Sequence, residues 1–192
     1  MKSAPNKFLD KFIDQIADEG QLRILDVGCG LGHAALRLAN LGHHVMGVAN
    51  DEADIEAAQA QARRAGLNTC MFEVMDARDL SKNFDPGFFR AVLVSDMLHF
   101  MSKDESLGVI DSVKALTAPK GYNALRGYLV DPKKSMSDRN IERMLAPGEL
   151  GTIYGSDSGW QILDESEDPF TSVYHQSKEH VSSHAGVIAK KL

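Results

Sequence analysis

The residues best placed to bind a ligand are three glycines at alternate positions, Gly28, Gly30 and Gly32, which follow closely after Asp26. An apolar run leads into Asp26, and a helix-forming run begins directly after the last glycine. A strand, a glycine turn and a helix N-terminus together form a corner where backbone can approach a nucleotide-like ligand closely. The segment is therefore predicted to bind such a ligand, against the alternative that the glycines only form a tight turn.

The spacing of these glycines bears on the class of ligand. A dinucleotide-binding fingerprint reads G-x-G-x-x-G/A, and with Gly28 and Gly30 as its first two glycines the third position falls on His33. The third glycine is Gly32 instead, which gives G-x-G-x-G. A nicotinamide-dependent oxidoreductase is therefore disfavoured, and it is kept only as an alternative.

Helical and strand patterns alternate along the chain, which is typical of a doubly wound α/β sheet. The stretch 131–158 is rich in Gly, Pro, Ser and Asp and is predicted to be an elaborated loop with one or two short helices. Helices are predicted over residues 5–18, 33–41, 51–65 and 104–116, and strands over a segment ending at 26 and over 44–48, 69–74, 91–95, 122–130, 160–163 and 185–189.

Length and charge restrict the function further. A chain of 192 residues predicts a single domain, residues 1–192, with residues 1–20 as an N-terminal helical segment. The net charge of −6 argues against a nucleic-acid partner, because phosphate binding requires a basic surface. The N-terminal residues lack an apolar leader, and no run approaches a membrane span. A cytoplasmic protein with two free thiols is expected, either a monomer or a homodimer.

The run from Ile24 to Gly32 resembles motif I of the class I S-adenosylmethionine-dependent methyltransferases, (hydrophobic)-L-D-x-G-C-G-x-G. The resemblance implies a Rossmann-like sheet of seven strands, mostly parallel with a reversed C-terminal strand and with helices on both faces. It also implies S-adenosylmethionine as cofactor, with Asp26 near the ammonium of its amino-acid portion. The backbone of Gly28, Cys29, Gly30 and Gly32 would lie against the amino acid and ribose.

The residue that holds the cofactor ribose departs from the family pattern. An acid usually stands at the end of the second strand, and the resemblance aligns Ala49 with that position. Asn50, Asp51 or Glu52 could reach the ribose instead. Asp51 is favoured because it also stands where a helix needs an N-cap, and the alternative is that it acts only as that cap.

Residues after the third and fourth strands complete the implied site. Asp76 and the backbone N–H of Ala77 match the family's adenine-binding pair, with a solvated loop carboxylate as the alternative. Ser95 is an implied neighbour of the cofactor. His99 lies beside the implied methyl donor, as a base or a substrate contact or else as a structural histidine. Arg90 stands where the family commonly has an Asp.

Within this class, four short stretches resemble the small tellurite-resistance type methyltransferases. These are residues 4–9, 118–123, 146–150 and 160–163, with Lys120 in place of a glycine of the pattern P-G-G-Y-N. The resemblance implies a small-molecule acceptor, such as a metalloid oxyanion like tellurite or a thiol. The class I resemblance covers most of the chain, whereas these short matches say little about which acceptor is used.

Polar residues near the C-terminus are candidates for the acceptor side. Arg126, Tyr174, His175, His180 and His184 could form a hydrogen-bonding rim for a small anionic substrate. A metal site is disfavoured, because only the last two histidines are four residues apart and their segment is interpreted as a loop. No metal is therefore expected.

The reaction implied is an in-line SN2 transfer of a methyl group. The sulfonium is already reactive, so the protein needs mainly to align the reactants and exclude water. An oxyanion or thiolate acceptor needs no base, whereas an amine or hydroxyl acceptor needs one, and His99 is then the candidate. A protein that binds the cofactor without catalysis is a further alternative, because Ala49 and Lys120 depart from the family pattern.

Overall fold

A seven-stranded sheet forms the centre of the protein. The computed structural model describes residues 6–129, 145–155, 158–168, 171–175 and 178–192, without the side chains of 171–175 and 178–182. The strands are β1 Arg23–Val27, β2 His44–Ala49, β3 Cys70–Val74, β4 Phe89–Ser95, β5 Thr117–Tyr128, β6 Trp160–Glu167, β7 Thr171–His175, β8 Lys178–Ser182 and β9 His184–Lys191. The helices are α1 Lys7–Ile16, α2 His33–Asn40, α3 Glu52–Ala65, α4 Leu80–Asn83, α5 Lys103–Leu116 and α6 Glu149–Ile153.

The order of strands across the sheet is β3-β2-β1-β4-β5-β9-β6. Strand β9 runs antiparallel to both of its neighbours, while β1 to β5 are parallel to one another. The predicted seven-stranded sheet with a reversed C-terminal strand is thus confirmed. The carboxyl ends of the parallel strands meet at one edge, where open α/β sheets bind their ligands.

Helices cover both faces of the sheet, as predicted. On one face, α1 to α3 pack through residues such as Phe12, Leu38 and Ile55, which are at most 2% exposed. On the other face, α5 and α6 pack through residues such as Ile110 and Leu150. Each helix buries one apolar stripe and exposes its other side. None of the helices in the described part of the chain is long and apolar enough to cross a bilayer.

The predicted helices and strands are observed within a few residues, and the structure adds the short helix α4 and a hairpin that were not predicted. The interpretation of residues around 171–182 as a loop is wrong, because β7 and β8 pair there as an antiparallel hairpin separate from the main sheet. Each of these strands is only five residues long and mixes polar with β-branched residues. A short hairpin with many polar residues lacks the apolar run that predicts the strands of the main sheet.

The predicted elaborated loop contains one short helix among the described residues, α6, which begins after Gly148. Leu145, next to the undescribed part of this loop, pairs with Leu129 beyond the end of β5. Residues 1–5, 130–144 and 156–157 lie outside the described part of the chain. The resemblance at residues 146–150 implied a helix start, and α6 begins within that stretch, at Glu149.

A polar network on Glu19 joins the amino-terminal segment to three strands. Its Oε2 accepts from Arg90 Nη2 at 2.9 Å, while its Oε1 accepts from the Tyr122 hydroxyl and, at 3.3 Å, from Lys190 Nζ. These hydrogen bonds, first that of Tyr122 and then that of Arg90, lower the pKa of Glu19 to about 2. Arg90, which departs from the family pattern, thus has a structural partner.

This network predicts an acid-dependent loss of stability. Because the folded-state pKa lies below the ordinary value of 4.5, the stabilisation is complete above that pH and disappears as the pH falls towards 2. Glu19→Gln should lower the free energy of unfolding by about 1–2 kcal/mol at pH 7 and by little near pH 2. Urea denaturation at several pH values measures this. The exposed Glu73→Gln is the control, and an equal loss in both variants would contradict the assignment.

Candidate functional site

The glycine turn is shaped by close packing as well as by backbone angles. Gly28, Gly30 and Gly32 have φ of 72°, 48° and 77°, a region that other residues rarely adopt. A Cβ on Gly28 would lie 2.7 Å from the Met97 side chain, and one on Gly32 would lie 2.7 Å from the ring of Phe72. A Cβ on Gly30 would meet, among the described residues beyond its chain neighbours, only Asp54 Oδ2 at 3.7 Å, so this glycine leaves its surface open to a ligand.

Asp26 lies at the end of β1 and is 3% exposed. Its Oδ2 accepts a hydrogen bond from Ala35 N at 3.1 Å, in the first turn of α2. That helix begins after Gly32, which has no side chain to cap it, so Asp26 supplies a cap from another element. Burial raises the pKa of Asp26 to about 7, and the hydrogen bond from Ala35 opposes this only in part.

A cavity of about 380 Å³ opens beside this turn. The structure brings four of the predicted cofactor residues together on its wall: Asp26, Gly28, Cys29 and Ser95. Cys29 is inert as a nucleophile here, because burial raises the pKa of its thiol to about 12. The cavity thus combines a buried acid with bare backbone at the carboxyl edge of the sheet.

Side chains from α1 and α2 complete the cavity, and sequence reasoning missed them. Asn6 and Phe8 close it from α1, while His33 and Arg37 line it from α2. The spacing of His33 and Arg37, four residues apart, places both on one face of a helix that begins at the glycine turn. This spacing is the sequence feature from which both residues could have been predicted to line the cavity. The lining of the cavity therefore includes a carboxylate, an imidazole and a guanidinium.

The ribose candidates lie at the start of α3. Ala49 ends β2 and packs on the core, and Asp51 caps α3 by accepting from Asp54 N at 3.0 Å with its Oδ1. Asn50 precedes this cap. Asp54, which was not predicted, points an oxygen towards Gly30. The structure leaves Asp51 with a definite capping role and adds Asp54 as a second acid near the turn.

The adenine candidates lie after β3, where Asp76 is tied to an unpredicted arginine. Asp76 Oδ1 accepts from Arg78 N and Nε, both at 2.9 Å, and its Oδ2 accepts from Arg78 Nη2 at 2.5 Å. Arg78 Nη1 also donates to Glu105 at 2.6 Å, at the start of α5. The Arg78 hydrogen bond lowers the pKa of Asp76, and Ala77, beside it, is buried. This ionised carboxylate is held in one orientation.

Asp96 follows Ser95 at the end of β4 and has an unusual backbone. Its φ is 55°, and its N–H donates to Arg126 O at 2.9 Å. Ser95 Oγ donates to Asp96 Oδ2 at 3.2 Å, while Asp96 Oδ1 is buried without a hydrogen-bond partner among the described residues. His184 Nε2 lies 3.5 Å from Oδ1, and Arg126 Nη1 lies 3.6 Å from Oδ2. Sequence reasoning missed Asp96.

His99 lies in the short helix Leu98–Phe100 and is 6% exposed. Its ring packs on Phe100 and edge-on against Tyr128, at centroid distances of 4.0 and 4.6 Å. Burial lowers the pKa of His99, which keeps the imidazole neutral, and Nδ1 has no partner among the described residues. A neutral imidazole with one free nitrogen can accept a proton.

The C-terminal candidates are divided by the structure. Arg126 and His184 lie together beside Asp96, and His184 packs on Tyr128 at 4.5 Å. The side chains of Tyr174, His175 and His180 lie outside the described residues, although their strands β7 and β8 are placed. Over the side chains that are described, no group of three metal-ligating residues comes together.

The chain matches a protein family over most of this region. The profile of the methyltransferase domain family matches residues 24–121, just over half of the chain. The matched segment includes the glycine turn, the ribose and adenine candidates and His99. Arg126 and His184 lie beyond the matched segment.

Comparisons with individual proteins also identify methyltransferases as relatives of this chain. The 27-O-demethylrifamycin SV methyltransferase of Amycolatopsis mediterranei is 26% identical over 151 residues, 78% of this chain and 54% of that protein. The 23S rRNA (uracil(1939)-C(5))-methyltransferase RlmD of Vibrio parahaemolyticus is 31% identical over 110 residues, 57% of this chain and 24% of that protein. The chain thus spans about half of the first relative and a quarter of the second.

Among solved structures, TehB from Haemophilus influenzae has the same fold. It superposes with a TM-score of 0.83 at 18% identity, covering 100% of this chain and 64% of that one. At this identity the likeness supports the fold and not a shared substrate.

The burial of Asp26 predicts a stabilising substitution. Since its folded-state pKa lies above its ordinary value of 3.8, the folded state is least favoured above about pH 7 and gains stability as the pH falls towards 4. Asp26→Asn keeps the acceptor for Ala35 and removes the buried charge, so it should raise the free energy of unfolding at pH 8 by about 1–3 kcal/mol. Thermal unfolding at pH 8 and pH 5 measures it, and a variant less stable at pH 8 would contradict this account.

Proposed function

The chain belongs to the methyltransferase domain family, whose methyl donor is S-adenosylmethionine, and we propose that it transfers that methyl group to a small acceptor. The observation that carries the proposal is the cavity of about 380 Å³ where Asp26 and the glycine turn meet. It lies at the carboxyl edge of the sheet, where this class of fold binds its ligands.

The residues present suit the amino-acid end of this donor, which carries both an ammonium and a carboxylate. Asp26 is a buried acid that a cation would stabilise in its ionised form. His33 and Arg37 supply hydrogen-bond donors for a carboxylate on the α2 side of the same cavity. Arg37 also pairs with Asp10 at 2.5 Å, which holds its guanidinium near the opening. The open side of Gly30 allows backbone contact.

The rest of the donor would extend along the edge of the sheet towards α3 and β3. Asp51, with Asn50 beside it, is our candidate for the ribose hydroxyls. Asp76 and the N–H of Ala77 are our candidates for the adenine edge, since a carboxylate and an N–H match its donor and acceptor. Arg78 keeps Asp76 ionised and fixed in place, so little reorganisation is required on binding.

When bound, the donor would supply a methyl group carried on a positively charged sulfur. A lone pair of the acceptor forms the new bond to the methyl carbon, and the sulfur keeps the electron pair of the broken sulfur–methyl bond. The chain's own contribution is alignment and exclusion of water. Ser95 and Asp96 lie at the end of β4 where the acceptor must approach, and His99 follows shortly after them with its buried ring against Tyr128. We propose that His99 takes the proton of a hydroxyl or amine acceptor, whereas an oxyanion or thiolate requires no base.

Charge supports a small molecule over a nucleic acid as acceptor. The net charge of −6 opposes phosphate binding, even though one relative acts on 23S rRNA according to its name. Tellurite, selenite and thiols are the acceptors to screen first.

Binding of S-adenosylhomocysteine tests the donor site. We expect a micromolar Kd by calorimetry, about −8 kcal/mol, weakened at least tenfold in Asp26→Asn despite its greater stability. Asp51→Asn should also weaken binding tenfold, and it retains the N-cap because Asn caps as well as Asp.

Arg64→Gln, an exposed change in the last turn of α3, is the matched control for these titrations. Normal binding by Asp51→Asn together with a loss in Asp54→Asn would move the ribose contact to Asp54. No binding by the unmodified protein would end the enzyme proposal.

His99→Gln tests the proton acceptor. With a hydroxyl or amine acceptor identified by the screen, kcat should fall about 100-fold while S-adenosylhomocysteine affinity stays within twofold. With tellurite or a thiolate as acceptor, kcat should change less than threefold. Equal rates for the variant and the parent with a hydroxyl acceptor would exclude His99 as the base.

A further inference from the structure

A second cavity, of about 220 Å³, lies between α1 and the ends of β5, β6 and β9. Lys7 and Lys11 line it from α1, Arg126 from β5, and His184 from the first position of β9. Asp168, just after β6, lies on the same wall as His184, and its N–H donates to His184 O at 2.8 Å. The proposed donor site does not use this cavity.

The two cavities adjoin at the first turn of α1. Asn6 and Phe8 line both of them, so a molecule in the second cavity would lie next to one in the first. On the sheet side, Ser95 lines the first cavity, and the next residue, Asp96, lies behind the lining of the second, with its Oδ1 3.5 Å from His184 Nε2. The second cavity is therefore in the right position for an acceptor.

The charges around this cavity are of both signs. Lys11 Nζ is already paired with both oxygens of Asp164, at 2.8 and 2.9 Å. The Arg126 side chain has only long contacts among the described residues, to Asn6 Oδ1 at 3.5 Å and to Asp96 Oδ2 at 3.6 Å. This side chain is 18% exposed, and its guanidinium can therefore donate to an anionic group placed in the cavity.

Asp96 provides a hydrogen-bond acceptor, whereas Arg126 provides donors. Its Oδ1 is buried with no hydrogen-bond partner among the described residues, which costs free energy unless a ligand supplies a donor. The nearest nitrogen, His184 Nε2, is 3.5 Å away, too far for a good hydrogen bond. A left-handed backbone at a non-glycine residue is a strain that functional sites often retain.

Resting on the proposed function, we infer that this second cavity is the acceptor subsite and that it selects small carboxylates bearing an N–H or O–H group. Arg126 binds the carboxylate, and Asp96 Oδ1 accepts the hydrogen bond of the N–H or O–H group. His184, which lines the cavity and lies 3.5 Å from Asp96 Oδ1, turns aside to allow this contact. The volume corresponds to about seven water molecules, which is room for a small hydroxy or amino acid.

Binding of four small probes tests this subsite without requiring turnover. The ¹⁵N-labelled protein, saturated with S-adenosylhomocysteine, is titrated with glycolate, glycine, propionate and ethanolamine, and the Arg126 side-chain and Asp96 backbone N–H signals are followed. Glycolate and glycine should shift both signals with a Kd at least fivefold lower than those of propionate and ethanolamine, each of which lacks one of the two groups.

Two variants assign the contacts. Arg126→Lys keeps the charge but loses the fork of donors, and it should weaken glycolate binding at least fivefold. Asp96→Asn tolerates the same backbone conformation, and it should weaken glycine binding at least fivefold because a neutral amide accepts less strongly than a carboxylate. Arg64→Gln should bind all four probes as the parent does.

Equal affinity for all four probes, no binding by any of them, or signals that move only elsewhere would overturn the assignment. Failure of S-adenosylhomocysteine to bind would instead overturn the proposed donor site. The same probes added to the protein without it would then decide whether the second cavity binds them.

Discussion

The geometry at the carboxyl edge of the sheet depends on the hydrogen bond between the buried Asp26 carboxylate and the first turn of α2. Because Gly32 has no side chain to cap α2, the cap comes from β1, and one carboxylate thereby fixes strand, turn and helix together. The charge is held at a cost, seen in the raised pKa of Asp26. With both ends of the turn fixed, Gly28 has no room for a side chain against Met97.

The reversed strand β9 determines which residues line the second cavity. Parallel strands present their last residues at the ligand edge, whereas an antiparallel strand presents its first, so His184 pairs with Tyr128 at the end of β5. Gly186, two residues further along, allows the Phe8 ring to pack within 2.7 Å of where its Cβ would be. This packing brings α1 over the sheet, where Asn6 and Phe8 line both cavities.

Sequence reasoning recovered what depends on local pattern and missed what depends on distant contacts. Alternating apolar runs located the main strands along the chain, and the glycine spacing located the turn and Asp26. The Arg78–Glu105 ion pair joins residues 27 positions apart, and no periodicity links Asp96 to His184. Such pairs are determined by strand order and by the reversed strand, so a single sequence does not reveal them.

The three departures from the family pattern differ in consequence because they lie at different edges of the sheet. At the amino edge, Lys120 adopts a φ of 60° at a cost of about 1 kcal/mol, while Gly121 beside it has no space for a Cβ, 2.7 Å from Arg90 O. The substitution thus falls on the one glycine of the pair that tolerates it, and Arg90 gains Glu19 and the Pro119 carbonyl as partners. Ala49 lies at the ligand edge and only packs on the core, so no contact of its own replaces the missing acid. The proposed donor site therefore assigns the ribose to a carboxylate from α3 or from the turn that precedes it.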